Sequence, residues 1–391
     1  MLAQSTIKNL KLALFLVGLA IIPPIAIWIP FLLHIKSIIG IPIPEGGMQI
    51  IAANYDGPLY IVVSKSLYNL EYIAQNFSFP LPLEYYAAHF PLFPLIIRLF
   101  ATAIGYPWGM LVATLAGSVF AMFYFYAFTG KYVSQKQALW LATIFAVFPA
   151  RWLIVRAVGS PEPWFIGFII ASIFHFNKKQ YILAGIFAAL AQLTKSPAIL
   201  LFVAYLCTLI LPRLRELSMN HSFVKWVKSL EYKAYPILLM PASLLGLFYL
   251  YEFKFNDFLA YFHSGDNIHL FFPPFQIFNY SQPWVNTHWL EEIIFVYLFA
   301  LLGLIQLIKQ KRTALAWFVG IFTTTIFFVS HRDLMRYALP VLPFLYVAFA
   351  KQIDTREFKI IIAVLIAPIY LFALAYIVNN VMPISDWGPL L

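Results

Sequence analysis

Five short polar clusters interrupt this apolar chain, and each has a residue type that does chemistry. The first is Asn54-Tyr55-Asp56-Gly57-Pro58-Leu59-Tyr60. A carboxylate held close to a hydroxyl can take its proton as a general base, and Asp56 is the candidate for that role. Asp-Gly-Pro is also a turn signal, so a solvated loop aspartate or a helix N-cap is the plainer alternative. The second cluster is Gly159-Ser160-Pro161-Glu162-Pro163, a turn tightened by two prolines, with Arg151 and Arg156 upstream as charge partners for Glu162. Ionisable groups set among apolar segments tend to line a cavity or pathway. The third is Leu193-Thr194-Lys195-Ser196-Pro197, whose lysine either reaches to a membrane interface or meets a phosphate. The fourth, His331-Arg332-Asp333-Leu334-Met335-Arg336-Tyr337, carries two arginines four residues apart. In a helix they would share a face, and two guanidinium groups match phosphate oxygens well; pairing with Asp333 is the alternative. The fifth is His89, in Ala88-His89-Phe90-Pro91, either a substrate or metal contact or an ordinary polar residue.

The elements that position these residues must lie in a membrane. The chain has 391 residues, 62% hydrophobic and 11% charged, more apolar surface than a soluble domain can bury. Crossing a hydrocarbon core of about 30 Å takes about 20 helical residues, and such runs recur throughout. They are too long and continuous for barrel strands, so the expected fold is an all-α polytopic membrane protein. Spans are expected near 12–35, 109–129, 137–157, 163–176, 181–194, 197–211, 235–253, 290–308, 313–330, 337–350 and 360–379, eleven in a single integral membrane domain, 1–391. The first reads as a retained signal anchor. Pro91–Ile104 carries Pro94 and Arg98 and is expected to lie on the membrane surface. With the N-terminus cytoplasmic, most of the 26 Lys and Arg fall in inner segments, and all acids but Glu216, Glu231, Asp354 and Glu357 fall outside. Membrane proteins show that sorting. Asp56 is thereby expected at the outer face. Segments 36–108, carrying interfacial helices, and 254–289 are the long outer loops. The inner stretch with Phe223, Trp226, Val227 and Leu230 opposite Lys225 and Lys228 reads as an amphipathic helix on anionic lipid.

Several activities are excluded or unsupported. The net charge of +10 has no nucleic-acid motif behind it. Cys207 is the only cysteine, which excludes intramolecular disulfides and cysteine-ligated metal clusters. His263, His269 and His288 lack metal-ligand spacing, and no nucleotide-binding or hydrolase signature is present. No cofactor is implied, and a divalent metal has no motif to support it. Asn76-Phe77-Ser78 and Asn279-Tyr280-Ser281 match the glycosylation acceptor pattern.

The chain resembles the GT-C superfamily of polyprenyl-phosphate-sugar-dependent glycosyltransferases. Within it the chain looks like the GPI mannosyltransferase II (PIG-V-like) proteins and their bacterial relatives. Tyr55-Asp56-Gly57 stands where that group carries Trp-Asp-Gly, and His89-Phe90-Pro91-Leu92-Phe93-Pro94 is similar to its Phe-Phe-Pro-Leu-Tyr-Pro. Ser160-Pro161-Glu162 resembles its Ser-Glu turn, Thr194-Lys195-Ser196-Pro197 its Thr-Arg-Pro, and Arg336-Tyr337 its late Arg-Tyr. The likeness extends over roughly residues 10–350. It implies a GT-C-like bundle with a catalytic aspartate in the first outer loop, which carries onto Asp56. It also implies a polyprenyl-phosphate-linked sugar donor, such as a phosphomannose, and a glycan, lipid or protein acceptor. Glu162, His89, Tyr55 and Tyr60 would contact substrate, with Tyr85, Tyr86 and Trp284 suited to sugar stacking, and Lys195, Arg332, Arg336 and Tyr337 would hold the donor phosphate. The membrane would be the plasma membrane of a bacterium or the endoplasmic reticulum of a eukaryote, with the site outer or lumenal. A lipid or sugar transporter or flippase is the competing class, although the acids gather at one face and no repeat is visible.

Overall fold

The computed structural model describes residues 2–220, 231–265, 269–283 and 290–391. The amphipathic stretch expected around Phe223–Leu230, and Trp284 and His288, lie outside these residues. The regular structure is almost wholly helical; the only sheet among the described residues is a hairpin pairing Ser37–Ile38 with Ile41–Pro42. Six of the described helices are long and apolar enough to cross a membrane: Asn9–Leu32, Tyr106–Thr129, Ser196–Leu214, Tyr232–Phe255, Leu290–Lys309 and Arg356–Asn379. Each matches an expected span. The other five expected spans fold as shorter or broken helices. Gln135–Phe145 and Ala150–Ala157 are bent by 70° and make a seventh crossing only if counted together. Glu162–Phe176, Tyr181–Gln192, Thr313–Ile326 and the interrupted Leu334–Ala348 are 10–17 residues long.

The chain divides into two compact units. The first comprises Met1–Gly167, Phe248–Gly265 and Ala350–Leu391. Here the helices Leu2–Leu32, Tyr106–Thr129, Ala150–Ala157 and Arg356–Asn379 pack together. Between the first two run the short helices Met48–Ala52, Gly57–Ser66, Leu70–Asn76 and Leu92–Ile104. The last of these packs along Tyr106–Thr129 with Phe93, Pro94, Ile97 and Ala101 inward, while Leu95, Leu99 and Ile104 are exposed. Arg98 caps the end of Gly57–Ser66 by donating to the carbonyls of Ser64 and Lys65.

Hydrogen-bond satisfaction shapes this unit. Proline has no N–H, so each proline inside a helix frees the carbonyl four residues before it, and lipid supplies no replacement donor. Leu2–Leu32 contains Pro23, Pro24 and Pro30, which free the carbonyls of Leu19, Ala20 and Ala26. Side chains from elsewhere in the unit cover all three. Arg156 Nη2 donates to Leu19 O at 3.1 Å and Ala20 O at 2.6 Å, and the Tyr370 hydroxyl donates to Ala26 O at 3.1 Å. The second terminal nitrogen, Nη1, donates to Ala146 O at the bend. Arg156 is buried because backbone acceptors at two breaks require a multivalent donor.

The second unit comprises Phe168–Leu247 and Asp266–Phe349. Ile199–Asn220 packs along Thr313–Ile326, which also pairs with Leu290–Lys309. A Cβ on Gly185 would collide with the carbonyl oxygen of Pro236, so glycine permits that close backbone approach.

Arg156→Leu leaves backbone carbonyls unpaired, at about 1–3 kcal/mol each. Its loss of thermal stability should shrink when combined with Pro23→Ala and Pro24→Ala, which restore the missing amides. Purely additive losses in that double-mutant cycle would contradict the pairing.

Candidate functional site

The Asp56 turn is assembled from residues far apart in sequence. Asn54 is fully buried; its Nδ2 donates to Ile50 O at 2.8 Å and Ile377 O at 3.1 Å, and its Oδ1 accepts from Asn380 at 3.4 Å. Met382 N donates to Ala53 O at 2.8 Å. These bonds fasten the turn to the end of the Arg356–Asn379 helix. The next residue, Tyr55, takes φ 51°, a left-handed conformation that costs a bulky residue about 1–3 kcal/mol and persists only where surroundings over-determine it. Arg151 supplies that restraint. Its guanidinium lies 3.7 Å from the ring centroid of Tyr376 and donates to the Tyr55 hydroxyl at 3.4 Å. The Tyr55 and Tyr376 rings are themselves 5.8 Å apart.

Asp56 follows as the N-cap of Gly57–Ser66, but its side chain makes no capping bond. Among the described residues its half-buried carboxylate has no hydrogen-bond or ion-pair partner. A Cβ at Gly57 would come 2.6 Å from Ala52 O and 3.4 Å from Gly159 O, so glycine is required and the two acidic turns are neighbours.

Glu162 is buried and accepts from the Ser160 hydroxyl. Thr114 Oγ1 in turn accepts from Ser160 N at 3.1 Å, tying this turn to Tyr106–Thr129. Tyr60, one helical turn after Asp56, is 5% exposed. Its ring meets His89 at 4.8 Å and Phe93 at 5.1 Å, both edge-on. His89 is buried among Tyr60, Tyr85 and Tyr86, and its carbonyl accepts from Tyr68 at 2.6 Å. The first unit thus brings Asp56, Tyr55, Tyr60, Glu162 and His89 into one neighbourhood, with Tyr60, His89 and Glu162 interior to it. A mostly apolar cavity of about 260 Å³ adjoins the turn at Ala52, lined also by Met48, Trp108, Leu111 and Trp387, with Gln49 among its walls.

In the second unit, residues 269–271 pair with 328–330: Ser330 N donates to His269 O and Phe271 N to Phe328 O, each at 2.8 Å. That pairing sets the His269 ring 4.4 Å from His331 and 5.7 Å from Tyr337. The helix here spans only Leu334–Tyr337, so Arg332 precedes it and the four-residue spacing does not put both arginines on one helical face. Both nonetheless act on His331. Burial, then His269, Arg336 and Arg332, push its imidazole down to about 3. Its Nδ1 accepts from Asp333 N at 3.0 Å, in keeping with a neutral ring. A locally positive field of this kind holds anions. Lys195 stands at the entry to the turn Ser196–Ala198, between Tyr181–Gln192 and Ile199–Asn220.

Sequence reasoning missed the Asn54 anchor, the Arg151–Tyr376 contact and the His269–His331 pair; each depends on contacts between distant segments that no local pattern signals. No group of three or more metal-ligating side chains occurs among the described residues. No family model matches the chain, and no curated protein matches it.

Because folded His331 refuses a proton that the unfolded chain binds between pH 6.5 and about 3, its contribution to stability falls as pH drops through that window. Imidazole NMR should show His331 neutral at pH 5, with its midpoint raised in Arg332→Gln and Arg336→Gln. A midpoint in the parent at the ordinary histidine value would refute the clustering.

Proposed function

We propose that the chain is a polyprenyl-phosphate-sugar-dependent glycosyltransferase of the GT-C type, transferring a sugar, mannose by resemblance, to an acceptor hydroxyl with inversion. In this reading the shorter and broken apolar helices complete a bundle of eleven crossings, and the Asp56 turn faces the outer or lumenal side. Asp56 takes the proton of the acceptor hydroxyl as the sugar C1 parts from the lipid phosphate. Arg332, Arg336, Tyr337 and Lys195 hold that phosphate and stabilise its growing charge. Phosphate leaves readily, so no separate acid is needed. Tyr55, with Glu162, Tyr60 and His89 behind it, fixes the geometry around Asp56 and orients the acceptor.

The observation that carries this reading is the state of Asp56. Among the described residues it is a carboxylate left without a partner, on a strained turn that many other contacts hold in place. A purely structural N-cap would bond to its own helix amides. One feature favours the competing transporter reading, the 70° bend between Gln135–Phe145 and Ala150–Ala157, since transporters use broken helices. Arg156 gives that bend a structural explanation by covering Ala146 O.

With labelled polyprenyl phosphomannose and an acceptor, Asp56→Asn should reduce transfer by about 10²–10⁴-fold, the usual worth of a general base, with thermal stability preserved. Transfer at the parent rate would remove Asp56 as the base; movement of labelled lipid across the bilayer without sugar transfer would favour the transporter. Arg332→Ala and Arg336→Ala should each weaken donor binding about tenfold, equal to about 1.4 kcal/mol. Unchanged donor affinity in both would remove them from phosphate binding.

A further inference from the structure

The stretch 269–283 contains no Asp, Glu, Lys or Arg and holds Phe271, Phe272, Phe275, Phe278 and Tyr280. All five are exposed, Phe272 at 87% and Tyr280 at 83%. Exposed aromatics on an untethered loop would mean little, but this backbone is pinned. Phe271 N donates to Phe328 O at 2.8 Å and Phe275 N to Phe327 O at 2.7 Å, so the loop supplies donors to carbonyls just past the end of Thr313–Ile326. Its polar side chains also satisfy one another: Asn279 Nδ2 donates to Gln276 Oε1 at 2.9 Å, and Asn279 Oδ1 accepts from Ser281 N at 3.1 Å.

Helix lengths explain why this matters. An α-helix rises about 1.5 Å per residue. Thr313–Ile326 is the shorter of two paired helices, and at that rise it extends about 21 Å. Its neighbour Leu290–Lys309 is six residues longer and extends about 30 Å, matching a hydrocarbon core. The shorter helix therefore stops about 9 Å early. The rings of Phe275, Phe327 and Tyr297 meet at that level, with centroids 5.0–5.9 Å apart. Tyr297 lies two helical turns into Leu290–Lys309, about 10 Å along the axis from its first residue. Phe275 thus reaches well below the start of a membrane-length helix whose exposed side chains include Ile294, Phe295, Leu298 and Phe299.

We infer that the Phe271–Tyr280 loop is inserted into the bilayer, its aromatic side chains facing acyl chains and completing the apolar belt where Thr313–Ile326 falls short. Irregular backbone at membrane depth needs internal hydrogen-bond partners, and the Phe271 and Phe275 amides have them. The lipid contact continues the exposed apolar face of Leu290–Lys309, and the absence of charge across 269–283 suits acyl chains rather than a polar partner.

The test uses the full chain in lipid nanodiscs, with Cys207→Ser removing the native thiol and Phe272→Cys carrying an NBD fluorophore. The emission should shift to the blue and be quenched by nitroxide-bearing lipid more than by aqueous iodide. Tyr280→Cys, in the same background, provides a second position should the first variant fail to fold. Water-like emission with dominant iodide quenching would overturn the inference. So would shielding from both quenchers, which would assign the surface to a second copy of the chain or another protein.

Discussion

Backbone carbonyls and amides that have lost their helical partners must find new ones inside the protein, because an apolar solvent offers none. This chain interrupts its helices often, with 26 prolines among 391 residues, and its long-range polar contacts are largely answers to that problem. Arg156 and Tyr370 cover the carbonyls that Pro23, Pro24 and Pro30 release. Asn54 closes on carbonyls at Ile50 and Ile377, and the amides of Phe271 and Phe275 cover the residues after Ile326. The interior charge of the first unit is thus structural at Arg156.

Against that background Asp56 is the exception. Its neighbours are engaged: Asn54 with Ile50, Ile377 and Asn380, Tyr55 with Arg151 and Tyr376, and the Gly57 amide with the Asn54 carbonyl. The turn is rigid while its carboxylate has no bond to make within the described residues. A rigid frame around an available base is what general-base chemistry needs, since geometry comes before basicity. In the second unit burial, then His269, Arg336 and Arg332 beside it, keep His331 neutral, and two arginines near one turn favour an anion there.

The sequence disclosed what depends on local runs. Expected spans at 109–129 and 290–308 became Tyr106–Thr129 and Leu290–Lys309, because hydropathy over a membrane-length window is a local property. Asp-Gly-Pro marked a turn and helix start, and the Gly57–Ser66 helix begins there. What failed was whatever tertiary contacts decide. The expected span 137–157 holds Pro149, but the 70° angle between its two halves is not a property a hydropathy window reports. The sequence offers Arg151 and Arg156 only as charge partners for Glu162, and their further roles, the first stacking on Tyr376 and the second serving backbone carbonyls, have no local signal. The Arg332–Arg336 spacing suggested one helical face, but the helix begins only at Leu334. Tyr55's left-handed backbone and the Asn54 anchor rest on Tyr376 and Ile377, near the opposite end of the chain. A pattern reader has no access to such pairs.

The role of Asp56 would be decided by a density map of the protein in lipid nanodiscs with a non-cleavable polyprenyl-phosphonate sugar and an acceptor analogue bound. General-base action requires the acceptor hydroxyl within hydrogen-bond reach of the Asp56 carboxylate, about 3 Å, with the sugar C1 on the far side of that hydroxyl. A sugar and acceptor seated well away from Asp56, with that carboxylate facing only solvent or protein, would refute it.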